Sequence, residues 1–280
     1  MNTRPVYIDT CLFGSSSLSR VRDYSRVYGD KIGFEILAMF DLRDYEKALR
    51  DNLEVLQKHR ISFHGPVYCV EHSAARGTAE YEESMRHVRL TYQYAQILRS
   101  SYFVMHLNNC RVDPAAKEQM LHNAKENYRE LLELFGTIDC RVLIENTGTI
   151  LQKNMLLDQR EFTDFCRDMR CGVLIDIGHA NANGWDLFKL IKDLRPQIRA
   201  YHLHNNDGMN DQHRRLHDGT IDFTPLLEKI LTDTPEADLI IEYTRRTMDG
   251  PGLQEDIQEV LDARERRRGR CKSAKQIYKK

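Results

Sequence analysis

No segment of this 280-residue chain reaches the roughly 18 consecutive apolar residues that a membrane span requires. The opening stretch MNTRPVYIDTCLFGSSS lacks the charged-then-apolar order of a secretory leader. A soluble, cytoplasmic protein is therefore expected. Glycine and proline are scarce, at 15 and 7 residues, against 41% hydrophobic and 30% charged residues. That balance excludes collagen-like, low-complexity and wholly disordered chains. The seven cysteines are odd in number and contain no CxxC pair, so neither a disulfide framework nor a cysteine zinc site is expected. Free, mostly buried thiols are the plain reading. Neither GxGxxG nor GxxxxGK[ST] occurs, which removes the usual phosphate-cradling turns of open α/β sheets.

An excess of either charge is also missing overall, since the net charge is −1. The distribution is uneven, however. Residues 263–280 hold nine Lys and Arg against one Glu, and removing that +8 leaves −9 on residues 1–262. An acidic body with a basic tail is not the footprint of a nucleic-acid-binding face. The tail reads as a solvated helix end with a frayed terminus, although an acidic partner could engage it.

Eight short runs rich in Val, Ile, Leu, Tyr and Phe fall at 6–8, 33–40, 61–64, 102–107, 142–145, 173–177, 198–203 and 239–243. They have strand length and little polar alternation, as strands buried on both faces do. Between them lie helical spacings: Leu42, Tyr45, Leu49, Leu53 and Leu56, then Met120, Ala124, Tyr128, Leu131 and Phe135. Thr78 is placed to cap a helix reaching about residue 99, and 158–169, 186–194, 224–231 and 253–261 also read as helices. GSSSLS at 14–19 reads as a loop and helix cap. Strand and helix alternating eight times within about 260 residues predicts a single closed (β/α)8 TIM barrel over 1–262, with 263–280 as a tail.

The carboxyl ends of six successive predicted strands carry His, Asp or Glu: His64, His106, Glu145, Asp176 with His179, His202 with His204, and Glu242. The loop after the seventh adds Asp211, His213, His217 and Asp218. In a barrel these ends converge on one mouth, where active sites lie. One such residue alone would be ordinary hydrogen-bonded structure. Six in succession bring nitrogen and oxygen donors together without thiolates, a set suited to Zn²⁺, Mn²⁺, Fe²⁺ or Co²⁺. Several carboxylates in one low-dielectric cleft would repel without a cation, so the charge count itself argues for a divalent metal. Asn146, Asn181 and Asn205 read as loop-shaping residues.

These residues resemble those of the xylose isomerase-like TIM barrels, which include sugar isomerases, sugar 3-epimerases, inositol-catabolic enzymes and endonuclease IV. The matching motifs are His64-Gly65-Pro66, His106, Glu145-Asn146, Asp176-Ile177-Gly178-His179, His202-Leu203-His204-Asn205-Asn206-Asp207-Gly208, Asp211-Gln212-His213 and Glu242. The sugar branch implies one Mn²⁺-like ion held by Glu145, Asp176, His202 and Glu242. It further implies Glu145 and Glu242 as catalytic bases acting next to a carbonyl through an enediolate, with His179 and His204 toward a sugar or sugar phosphate. Arg245, with Arg246, is a candidate for an anionic substrate group. The endonuclease IV branch implies three zinc ions on His64, His106, Glu145, Asp176, His179, His202, Asp211, His213 and Glu242, hydrolysing a phosphodiester. The acidic body and the absence of that enzyme's Gly-Glu-Gly turn after strand seven favour the sugar reading over nucleic acid. A metal-binding barrel without turnover is a third reading. His202 and His204 both point to one side of their strand, and motif alignment favours His202 as ligand. Barrels of this kind often dimerise, but the sequence shows no interface.

Overall fold

The structure, a computed structural model, describes residues 4–244 and 252–277, apart from the side chains of Ser15 and 270–277. Eight parallel strands close into a barrel in sequence order, with β8 pairing back to β1. They are β1 (Val6–Asp9), β2 (Ile32–Leu37), β3 (Ile61–His64), β4 (Tyr102–Met105), β5 (Arg141–Glu145), β6 (Gly172–Asp176), β7 (Ile198–Leu203) and β8 (Asp238–Ile241). The helices are α1 (Gly14–Ser17), α2 (Val21–Tyr28), α3 (Tyr45–Leu56), α4 (Ala79–Leu98), α5 (Lys117–Gly136), α6 (Gln159–Met169), α7 (Ile177–Ala182), α8 (Leu187–Leu194), α9 (Phe223–Asp233) and α10 (Gly252–Ile277). The TIM barrel predicted from the alternation of runs is thus the fold. Among the described residues no helix is long and apolar enough to cross a membrane.

Strand parity decides what each side chain meets, because successive residues face opposite sides. Residues such as Phe34, Ile36, Phe63, Phe103, Ile144, Val173 and Ile175 join the core shared with the helices. Tyr7, Tyr102, Val104, Leu143, Leu174, Ala200 and Ile240 fill the barrel's interior. Two residues further along the same strands, the inward positions change from apolar to polar. Asp9, Glu35, His64, Glu145, Asp176 and His202 lie on their strands at inward positions near this end, and His106 and Glu242 follow β4 and β8 by one residue.

Helix ends follow local chemistry. The Thr78 hydroxyl accepts from the N–H of Tyr81 and caps α4, and Asp158 with Glu161 forms a reciprocal capping box on α6. Three stretches differ from or go beyond their reading in the sequence. Residues 14–19 are not a loop: α1 passes into a 3-10 turn at Leu18–Arg20, with Leu18 buried. Helix α2 follows, its Val21 and Tyr24 buried. The residues after Asp176 form α7, because the Asp176 carboxylate accepts from the N–H of His179 at 2.6 Å and caps a new helix at the strand's end. Helix α10 also continues past residue 262. The buried Arg264 donates to the carbonyls of Arg4, Pro5 and Ala237, tying this helix under the barrel's N-terminal end.

Candidate metal centre

The polar layer at the C-terminal mouth is held in shape by its neighbours. Asn146 clamps β5 to β6: its amide donates to Asp176 O at 2.9 Å and its oxygen accepts from Asp176 N at 2.8 Å. Gly178 is required by crowding, since a Cβ there would lie 1.9 Å from the His204 ring. Asn206 donates to Gly178 O, while Asn181 reaches Asn206 and Thr220. Asn205 donates to Leu216 O and Ile221 O, fixing the loop that carries Asp211 and His213. The far side of that loop is anchored by Arg215 to Asp256 and by Tyr243, which accepts from Leu216 N and donates to Asp256.

The nine residues singled out as metal donors converge. Glu145 is the hub. Its Oε2 lies 3.1 Å from His106 Nε2 and 3.5 Å from His64 Nε2, and its Oε1 lies 3.2 Å from His179 Nδ1 and 3.6 Å from His202 Nδ1. His202 Nδ1 also lies 3.5 Å from Asp176 and 3.3 Å from Glu242. Asp211 is 3.3 Å from His179 Nε2 and 3.2 Å from His213 Nε2, and His213 Nδ1 is 3.5 Å from Glu242. His213 takes a left-handed backbone, φ 46°, a cost of roughly 1–2 kcal/mol for a non-glycine residue.

The pair on β7 separates by role. His202 turns Nδ1 toward three carboxylates, and that atom is buried with no hydrogen-bond partner. His204 is fully buried, stacked on His213 with ring centroids 4.0 Å apart, and its Nε2 meets Asp176 at 2.9 Å. That position favours holding Asp176 over the substrate contact expected for it. Arg245 and Arg246 lie outside the described residues. His217 is not drawn into the centre; it pairs with Glu259 at the surface.

Two acids were missed. Glu35 on β2 meets His202 Nε2 at 2.5 Å and accepts from the Ser62 hydroxyl at 2.8 Å. Asp9 on β1 is fully buried and accepts from Cys11 N. The signal was present in VYID and GFEI, each an apolar run with an acid at an inward position near its end.

The electrostatics fit a cation. Six carboxylates, those of Asp9, Glu35, Glu145, Asp176, Asp211 and Glu242, surround the centre, and no described Lys or Arg forms an ion pair with any of them. Burial, with Glu242 and Glu35 adjacent, pushes the Asp9 carboxyl up to about 8. Burial opposes ionisation of Glu145 as well, yet His106 and His202 hold it well below the usual carboxylate range. Burial disfavours the His64 cation, but Glu145 outweighs it and raises that imidazole to about 9. Each group thus seeks an opposite charge from its neighbours. Buried atoms without hydrogen-bond partners include His179 Nδ1, His202 Nδ1, Asp211 Oδ1 and Glu242 Oε2. Four sets of three donors bring ligand atoms within 4.8 Å of one another: Glu145–Asp176–His202, His64–His202–Glu242, His64–His106–Glu145 and His204–His213–Glu242. The residues present therefore fit a divalent metal.

Residues 29–264 match the family described as xylose isomerase-like TIM barrel. The chain belongs to this family. Uncharacterized protein MJ1311 of Methanocaldococcus jannaschii is a relative of this xylose isomerase-like barrel, 29% identical over 150 residues. That match covers 51% of this chain and 50% of the relative, so the chain spans about half the length of the curated relative it matches. Among solved structures, a D-tagatose 3-epimerase-like protein superposes with a TM-score of 0.77 at 18% identity, over 94% of this chain and 98% of that one. A family 2 AP endonuclease from Brucella melitensis gives 0.69 at 16%, over 90% and 98%. An IOLI protein with a binding zinc atom gives 0.68 at 15%, over 94% and 96%. At these identities the structures establish the shared barrel fold.

Proposed function

We propose that this chain is a divalent-metal-dependent isomerase or epimerase of a small sugar or sugar phosphate, acting by proton transfer next to a carbonyl. The observation that carries this reading is the grouping of Glu145, Asp176, His202 and Glu242, four inward donors at the ends of consecutive strands with no Lys or Arg paired to them among the described residues. These four would hold the central ion, Mn²⁺ or Zn²⁺. A bound divalent cation supplies Lewis-acid polarisation of the substrate's oxygens, which makes the neighbouring C–H acidic. Glu145, at the end of β5, and Glu242, just after β8, flank the His202 imidazole and would remove and return that proton. His179, at the edge of the centre between Glu145 and Asp211, is placed to orient a substrate hydroxyl. The likeness to a D-tagatose 3-epimerase-like protein and to an IOLI protein with a binding zinc atom supports this reading.

A second reading rests on a specific observation. His64, His106 and Glu145 form one donor set, His204, His213 and Glu242 another, and Asp211 bridges His179 and His213. That is room for up to three ions, as a zinc phosphodiesterase related to endonuclease IV would require. It would act on nucleic acid.

The test uses metal-loaded protein. Incubation with ketoses and ketose phosphates in D₂O is expected to place deuterium on the carbon beside the carbonyl, and Glu145→Ala is expected to lose this exchange together with the bound metal. Cleavage of an abasic-site oligonucleotide without exchange would transfer the assignment to phosphodiester hydrolysis. Neither activity over broad panels would leave a metal-binding barrel without turnover. Full exchange by Glu145→Ala would overturn the mechanism.

A further inference from the structure

We infer that the opposite, N-terminal end of the barrel carries a second binding site, for a small polyphosphate-type anion. A recess of about 830 Å³ opens there, and Arg4, Arg60, Arg99, Arg141 and Arg199 are among its lining residues. Its size falls within the roughly 300–1,000 Å³ range of small-ligand sites.

The arginines differ in how they are matched. Arg4 is neutralised by Glu236 at 3.2 Å and Asp238 at 2.9 Å. Arg60, Arg99, Arg141 and Arg199 have no carboxylate within ion-pair distance among the described residues. Arg199 is held in place by the carbonyls of Pro196 and Ile198, which orient its guanidinium without cancelling its charge. Asp139 is the remaining acid in the lining. Five guanidinium groups against the carboxylates of Asp139, Glu236 and Asp238 leave an excess of two positive charges in a concave space, although the chain's net charge is −1.

Stabilisation of helix C-termini explains only part of this arrangement. Arg99 caps α4, where a cation complements the helix dipole. Arg141 and Arg199 lie on strands β5 and β7, and Arg60 lies beyond the end of α3, so none of the three occupies a helix's last turn. They come from separate connections and converge because the strands do. Guanidinium groups suit phosphate oxygens through paired N–H donors. Exposed Ser101 in the same lining adds a hydroxyl donor. The lining is drawn from short stretches next to β1, β3, β4, β5, β7 and β8, a compact convergence that suits a compact anion better than an extended polymer.

The site stands apart from the metal centre, at the other end of the strands, and the inference does not depend on the proposed reaction. The probe is inorganic tripolyphosphate, titrated calorimetrically into the metal-loaded full chain at low salt. Saturable binding is expected. Arg60→Ala/Arg141→Ala is expected to weaken it at least about tenfold, the equivalent of two lost charge-assisted contacts. Because these residues are exposed, the variant should keep the wild-type melting temperature and metal content. Arg60→Lys/Arg141→Lys should retain part of the affinity, and Glu145→Gln should retain all of it. No binding would overturn the inference. So would binding abolished by Glu145→Gln but untouched by the arginine changes, which would mean the anion sits on the metal. Binding of single-stranded oligonucleotides that tripolyphosphate cannot displace would overturn it as well, in favour of a nucleic-acid surface.

Discussion

Glu35 acts on the centre from behind. Its Oε1 meets His202 Nε2 at 2.5 Å while Ser62 donates to its Oε2, so the Nε2 proton of His202 is engaged and Nδ1 is left with its lone pair facing Glu145, Asp176 and Glu242. A carboxylate behind a ligating imidazole fixes both the tautomer and the ring plane. Glu35→Gln is expected to weaken metal affinity about 10- to 100-fold, measured by competition with a chromogenic chelator. If the variant only melts earlier while its affinity is unchanged, Glu35 is structural. Six of the nine donors, His64, His106, Glu145, Asp176, His202 and Glu242, were legible from their place at strand ends, where one parity rule puts them on the inner wall, while His179, Asp211 and His213 stand on the residues that follow β6 and β7. The same rule should have found Asp9 and Glu35. They were passed over because the first two runs were taken for their apolar content alone. The separation of His202 from His204 was illegible in principle: two residues on one side of a strand differ only in what packs against them, here Gly178 and the ring of His213.

At the scale of elements, the connections after β3 and β4 form one unit through Glu71. Its Oε1 accepts from the N–H and hydroxyl of Ser73, and its Oε2 accepts from the N–H groups of Asn109 and Cys110. Asn109 in turn meets His106 Nδ1 at 2.8 Å, so this loop pair aims a metal donor. Burial works against the Glu71 charge, but these donors hold its pKa below the ordinary value. The next residue, His72, is buried and pushed down to about 4 by burial. The signs agree. A histidine lowered in the folded state contributes its full stability above the unfolded value of 6.5 and loses it as pH falls toward about 4; Glu71 contributes above 4.5 and loses its part below that. For His72 this amounts to about 3 kcal/mol. Thermal melts between pH 8 and 5 should therefore steepen below pH 6.5 in the parent chain, and His72→Gln should flatten that limb. An identical slope in the variant would remove His72 as the cause. This lock was not legible, since it joins loops 38 and 39 residues apart through backbone N–H groups that no side-chain pattern reveals. The strands were legible because buried parallel strands are written as short apolar runs. Helix α2 was not read: its VRDYSRVY is only eight residues long, and of its four apolar residues just Val21 and Tyr24 are buried while Val27 faces solvent.

Across the whole molecule, charge is sorted along the barrel axis. Acids and imidazoles gather at the C-terminal mouth, arginines without carboxylate partners at the N-terminal end, and the apolar interior from Val104 to Ile240 separates them. The mouth is the costly half. Six carboxylates were withdrawn from water there, and the imidazoles among them can offset those charges only by taking up protons that a metal would displace. Cation binding is therefore coupled to folding. A ligand that binds the folded chain alone adds RT ln(1 + [L]/Kd), about 4 kcal/mol at a thousandfold excess over Kd. For a chain of this size each kcal/mol moves the melting temperature by about 2–4 °C. Exhaustive chelation is expected to lower the melting temperature by about 8–16 °C in differential scanning calorimetry, with recovery on adding Zn²⁺ or Mn²⁺ but not Mg²⁺, which favours oxygen ligands over imidazole. The drop should shrink in Glu145→Gln, which removes the donor shared by the central set and the His64–His106 set. A chelated chain that melts with the untreated one, both carrying Glu145, would mean that the buried acids are balanced by protons alone and that no metal belongs in the mouth.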